Sequence, residues 1–115
     1  MNPAITLIYD ADCPNAPETR AVLREALERV GLKAEWVEHD RAAPGVPRQL
    51  VRYGSPTILV NGADVAGEMA EAVAACCRVY AHGRALRGVP AVETVIAAIM
   101  RSRATALKIE EVSDA

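Results

Sequence analysis

A short apolar run, Ile5-Thr6-Leu7-Ile8-Tyr9, gives way within a few residues to a stretch with helical periodicity. No other feature limits the fold as tightly. The run is brief and holds β-branched and aromatic side chains, so it reads as a buried strand over residues 4–10. In residues 17–30 Leu23, Leu27 and Val30, with Val22 and Ala26 beside them, fall on one helical face. Glu25 and Arg29 form an i,i+4 pair on the other side, and Gly31 is a natural C-terminal stop. Cys13-Pro14 stands at the switch between the two patterns. A cysteine there meets helix-terminal N–H groups and the positive end of the helix dipole, which stabilise a thiolate. The thiolate is both the nucleophile and the soft-metal ligand, so thiol chemistry is the leading expectation.

The remaining elements follow from punctuation and period. Ala34-Glu35-Trp36-Val37-Glu38 alternates and predicts a second strand ending near His39-Asp40. Ala42-Ala43-Pro44-Gly45 is a turn, and Pro47 opens a short helix carrying Leu50, Val51 and Tyr53, closed by Gly54. Ser55-Pro56-Thr57-Ile58-Leu59-Val60 is a strand led in by proline, which costs no ladder donor at a first position. Asn61-Gly62 is a strong turn signal. Residues 63–76 form an insert in which Val65, Met69, Ala72, Val73 and Cys76 share a helical face weakened by Gly67. Cys77-Arg78-Val79-Tyr80 reads as a short strand, His82-Gly83 turns the chain, and Pro90 opens a last helix with Val92, Val95, Ile96 and Ile99 inward. This order predicts an α/β fold: a central mixed four-stranded sheet flanked by about three helices, a parallel β-α-β start, and an insert before the penultimate strand region. The domain is expected over residues 1–102, with a polar, partly disordered tail over 103–115.

Composition narrows the function classes. With 115 residues the chain is one domain's worth, and its 51% hydrophobic content, without phenylalanine and with a single tryptophan, Trp36, predicts a small-residue core. A net charge of −2 with dispersed arginines argues against nucleic acid or an anionic membrane surface as partner. The longest apolar run is too short to span a bilayer, and the N-terminus carries no secretory signal pattern. A cytoplasmic location is therefore expected. In that reducing compartment three cysteines suggest catalysis, metal binding or core packing rather than a disulfide framework.

Three segments together resemble the thioredoxin and glutaredoxin-like superfamily. Cys13-Pro14-Asn15-Ala16 stands where that family carries Cys-Pro-x-Cys, between its first strand and first helix. Gly54-Ser55-Pro56-Thr57-Ile58-Leu59-Val60 resembles the segment with the family's cis-proline, followed by a strand and an Asn-Gly turn. Gly88-Val89-Pro90 is similar to the entry into its final helix. The likeness covers roughly residues 4–101 and is closest to small bacterial thioredoxin-like proteins that pair a single-cysteine Cys-Pro-Asn or Cys-Pro-His motif with a later Cys-Arg-x-Tyr segment, here Cys77-Arg78-Val79-Tyr80. The resemblance implies a thioredoxin-like thiol–disulfide oxidoreductase with Cys13 as the attacking thiol and Pro56 facing it. Pro14, Asn15, Ser55 and Pro56 would be substrate-binding. The implied partner is a thiol or disulfide substrate, protein or small molecule. No bound cofactor is implied; glutathione would serve as external reductant.

The departures shape the chemistry. Ala16 holds the resolving position, so a dithiol cannot close within one helical turn. Asp10 and Asp12 flank Cys13; their charge disfavours a thiolate, or else one carboxylate accepts the thiol proton. A disulfide between the neighbours Cys76 and Cys77 requires a strained backbone. On an extended segment they point to opposite faces, and Cys77, which begins the Cys-Arg-x-Tyr match, is then the expected distal resolving thiol. Cys76 is expected as core filler. His39 and His82 read as exposed turn residues without metal-ligand spacing. Tyr9 and Tyr80 are expected to pack at strand ends, Trp36 on the core or a strand face, and Arg78 on the surface. Two other classes stand beside the oxidoreductase: a thiolate module capturing a soft metal, arsenical or organic mercurial, and a non-catalytic scaffold in which Ala16 marks lost redox function.

Overall fold

The computed structural model describes residues 3–67, 80–82 and 85–113. The elements run β1 (Ile5–Tyr9), α1 (Ala16–Arg29), β2 (Val37–Asp40), α2 (Arg48–Val51), β3 (Thr57–Val60), β4 (Ala63–Asp64), β5 (Tyr80–His82), β6 (Ala85–Arg87) and α3 (Val92–Ser113). The main sheet has the order β2-β1-β3-β4. β1 pairs parallel with β2, joined by the crossover helix α1, and antiparallel with β3. The expected α/β class, mixed four-stranded sheet and three helices are all present.

Packing explains the layers. Leu23, Ala26 and Leu27 of α1 meet Val95, Ala98 and Ile99 of α3 over the sheet face made by Ile5, Leu7, Ile58 and Val60. Those four alternate in register along β1 and β3, as a period of two requires. Ile8 and Leu59, on the opposite face, are buried as well, so β3 is buried at every position. Near-continuous apolar sequence in Thr57-Ile58-Leu59-Val60 is the signature of such a central strand.

The fourth strand differs from expectation. Asn61 and Gly62 both adopt positive φ, 51° and 84°, the geometry of a two-residue hairpin turn whose twist matches the flanking strands. The chain therefore reverses at once, and Ala63–Asp64 pairs with β3 as the fourth strand. Asn61 also ties the turn down: its Oδ1 accepts the Ala4 amide at 2.8 Å. Tyr80, expected to end the fourth strand, instead opens a separate two-stranded sheet with β6. Of the insert, 63–67 are described and Val65 is buried in the core; residues 68–76 lie outside the described residues. The last helix passes residue 102 and continues to Ser113, through the segment expected as a tail. His39 and His82, expected in turns, lie in β2 and at the end of β5. Among the described residues no helix is long and apolar enough to cross a membrane.

Candidate functional site

Cys13 follows β1 at its carboxyl end, in the turn that leads into α1. Its amide donates to the Asp10 carbonyl at 2.9 Å, and its carbonyl accepts the Ala16 amide at 3.3 Å. The thiol is free and half-buried, Pro14 beside it is exposed, and Asn15 is half-buried. Asn15 is the N-cap residue of α1. Its carbonyl accepts both the amide (3.0 Å) and the hydroxyl (2.8 Å) of the fully buried Thr19. Pro17 fits the first turn because no intrahelical partner awaits an N–H there. Ala16, the first residue of α1, is buried.

The proline-led loop joins this turn through Asp10. Ser55 is fully buried, and its hydroxyl accepts the Asp10 amide at 2.9 Å. The Ser55–Pro56 peptide is cis, and Pro56 is also buried. Thr57 secures the same loop by donating its hydroxyl to the Gly54 carbonyl at 2.7 Å. One residue, Asp10, thus bonds Ser55 through its N–H and Cys13 through its carbonyl. Of the six residues expected at the site, Cys13, Pro14, Asn15, Ser55 and Pro56 belong to these two linked loops. Cys77, and with it Cys76, lies outside the described residues.

The sequence reading missed several neighbours. Arg41 Nη1 bonds Asp10 Oδ2 at 2.9 Å, with both side chains about one-fifth exposed, so the Asp10 carboxylate is paired with a cation. In the parallel register Tyr9 stands opposite Asp40, so the next residues of the two strands are neighbours. Asp12 remains exposed. Tyr80, buried at the start of β5, donates its hydroxyl to the Pro56 carbonyl. Gly88 lies against Asn15 so closely that a β-carbon there would sit 2.1 Å from Nδ2 and 2.6 Å from Cγ. Arg87 Nη2 bonds Glu18 Oε2 in the first turn of α1 at 2.6 Å. No local pattern could have announced these pairs, because each joins residues far apart in sequence.

A second polar group flanks the site across α1. Arg20 stacks over the Tyr9 ring at 5.1 Å and holds Glu38 through Nε and Nη2 at 2.9 and 3.0 Å. Trp36 Nε1 adds a donor to the same carboxylate at 2.9 Å. The Arg20 hydrogen bonds hold the Glu38 carboxyl below the usual carboxylate range, against the opposing pull of partial burial. Among the described residues no three His, Cys, Asp or Glu side chains group as metal ligands. Comparison with protein-family models, with curated proteins and with solved structures finds no match.

Proposed function

We propose that this chain is a thioredoxin-like thiol–disulfide exchange protein acting in a reducing cytoplasm, with Cys13 as its nucleophile. The observation that carries the reading is the Asp10 junction. The half-buried thiol turn and the Ser55–Pro56 loop share one residue, at the end of β1 where the parallel pair β1–β2 presents its carboxyl ends. Clefts at the carboxyl ends of strands are the usual ligand positions in α/β sheets. Exposed Pro14 and half-buried Asn15 border the approach to sulfur, and Ser55 serves from beneath by fixing Asp10.

The chemistry runs in two displacements. The Cys13 thiolate attacks one sulfur of a substrate disulfide, its S–S bond breaks, and the departing thiolate takes up a proton. The mixed disulfide on Cys13 is then attacked by a second thiolate, releasing the other half of the substrate as thiol. The substrate gains two electrons and the thiol pair is oxidised to a disulfide. With Ala16 at the near position the second thiol is Cys77 or external glutathione.

The test is reduction of a small disulfide by glutathione, followed with wild type, Cys13→Ser and Cys77→Ser. Catalysis that Cys13→Ser brings down to the uncatalysed rate supports the reading. Wild type that turns over no faster than glutathione alone overturns it. Loss of activity in Cys77→Ser, together with a Cys13–Cys77 link in the peptide map of the mildly oxidised protein, assigns Cys77 as the resolving thiol. Full activity in that variant assigns glutathione.

A further inference from the structure

The hairpin β5–β6 stands apart from the main sheet, yet it reaches the thiol turn from both sides. Tyr80 and Arg87 are partners in its register. From Tyr80 a chain of hydrogen bonds and backbone runs to the thiol. The phenol bonds the Pro56 carbonyl, the adjacent Ser55 hydroxyl takes the Asp10 amide, and the Asp10 carbonyl takes the Cys13 amide. From Arg87 the route is shorter. Its guanidinium holds Glu18 on α1, and Gly88, the next residue, admits the Asn15 side chain into the space a β-carbon would fill. Val89 and Pro90 behind it are buried, so the strand end cannot simply recede. The Arg87–Glu18 pair is half-exposed and contributes little by itself. The buried phenol is the strong member, and the close fit at Gly88 limits where the Asn15 amide can lie.

We propose that the β5–β6 hairpin is a brace for the thiol site, in which Tyr80 positions the Pro56 loop and Gly88 positions Asn15, so that together they set how far Cys13 is open to reagents. The proposal rests on the exchange reading for its biological meaning, but not for its test. Both residues act through others, Tyr80 through the Pro56 carbonyl and Gly88 through the Asn15 side chain, so they are positioning residues. Loosening either route frees the turn that half-buries the thiol, and the reactivity of Cys13 rises.

The measurement is the rate of iodoacetamide alkylation at Cys13 as a function of pH. It is read by mass spectrometry of tryptic peptide 1–20, which contains no other cysteine. Five proteins are compared: wild type, Tyr80→Phe, Gly88→Ala, Asn15→Ala and Asn15→Ala/Gly88→Ala. Tyr80→Phe and Gly88→Ala are expected to alkylate about threefold faster or more, and the pH profile of each to differ from wild type. The effect of Gly88→Ala is expected to vanish in the Asn15→Ala background, the non-additivity of residues in direct contact. If Gly88→Ala does not fold, recovery of folding in the double variant is the supporting outcome and failure to recover counts against the brace. Folded Tyr80→Phe and Gly88→Ala with rates and profiles like wild type overturn it, as do effects of Asn15→Ala and Gly88→Ala that simply add. Alkylation needs no disulfide substrate. A chain without exchange activity can therefore still show the coupling, and an active one without the coupling refutes the brace alone.

Discussion

Glu38 accepts two hydrogen bonds from Arg20 and one from Trp36. A bidentate guanidinium–carboxylate pair is stronger than a single-point contact, but this one is about one-third exposed, so solvent screening holds its worth to about 0.5–1 kcal/mol. The sign of its pH dependence follows from the lowered carboxyl value. Unfolded, the group titrates near 4.5; folded, it titrates lower. Its contribution is complete above the unfolded value and disappears as the pH falls through the folded one. Wild type should therefore exceed Glu38→Gln by about 0.5–1 kcal/mol in urea denaturation near neutrality, and the gap should close in acid below the folded value. A gap that persists unchanged in acid would show that the side chain contributes by packing instead. At this scale the sequence marks Cys13 and Pro56 as candidates because each stands out locally, the first by the strand-to-helix switch and the second by leading an apolar strand. It does not mark Arg41, Tyr80 or Gly88, whose contacts depend on partners distant in the chain.

Helix α1 carries both the site and a share of the core. Its amino end frames Cys13, and its inner face packs Leu23, Ala26 and Leu27 against β1, β3 and α3. Its span was legible to within a residue or two, because the apolar spacing and Gly31 agree. Two other elements were not. The segment after Ser102 reads as polar, yet it is rich in good helix formers (Ala104, Ala106, Leu107, Lys108, Glu110, Glu111), and α3 runs on through it to Ser113. The fourth strand precedes the expected position after the insert, because the Asn61-Gly62 turn gives β3 an immediate antiparallel partner in Ala63–Asp64. Leu23 tests the dual role of α1. It is fully buried between helix and sheet, so Leu23→Ala should cost about 2–5 kcal/mol in urea denaturation. Alkylation of Cys13 in the surviving native fraction should stay at the wild-type rate, because the turn is fixed by Asp10 and Asn15 rather than by this layer. A cost below about 1 kcal/mol would mean that α1 is not packed on the sheet as described.

The whole molecule divides into a layered body and an attached hairpin. Backbone hydrogen bonds join β2, β1, β3 and β4 into one sheet under α1 and α3, and opening β1 or β3 exposes the shared core. β5 and β6 bond only to each other among the described strands, and the hairpin is held to the body through Tyr80, Arg87 and the fit at Gly88. Elements outside the shared backbone ladder open at lower free energy than global unfolding. Native-state hydrogen exchange should therefore rank amides by body. Those of β1 and β3 should exchange only through global unfolding, and their protection should fall with urea at the full denaturation slope. The β5–β6 ladder amides should exchange earlier, through an opening with a smaller slope. Tyr80→Phe removes the phenol's hydrogen bond to Pro56 from the attachment, a loss of about 1 kcal/mol, and this should appear as roughly fivefold faster exchange in the hairpin with β1 and β3 less affected. Equal protection in both sheets, responding together to the substitution, would mean a single cooperative unit. A hairpin that opens below the global free energy gives the thiol turn two populations in native protein, one braced and one released, and the balance between them fixes the average reactivity of Cys13.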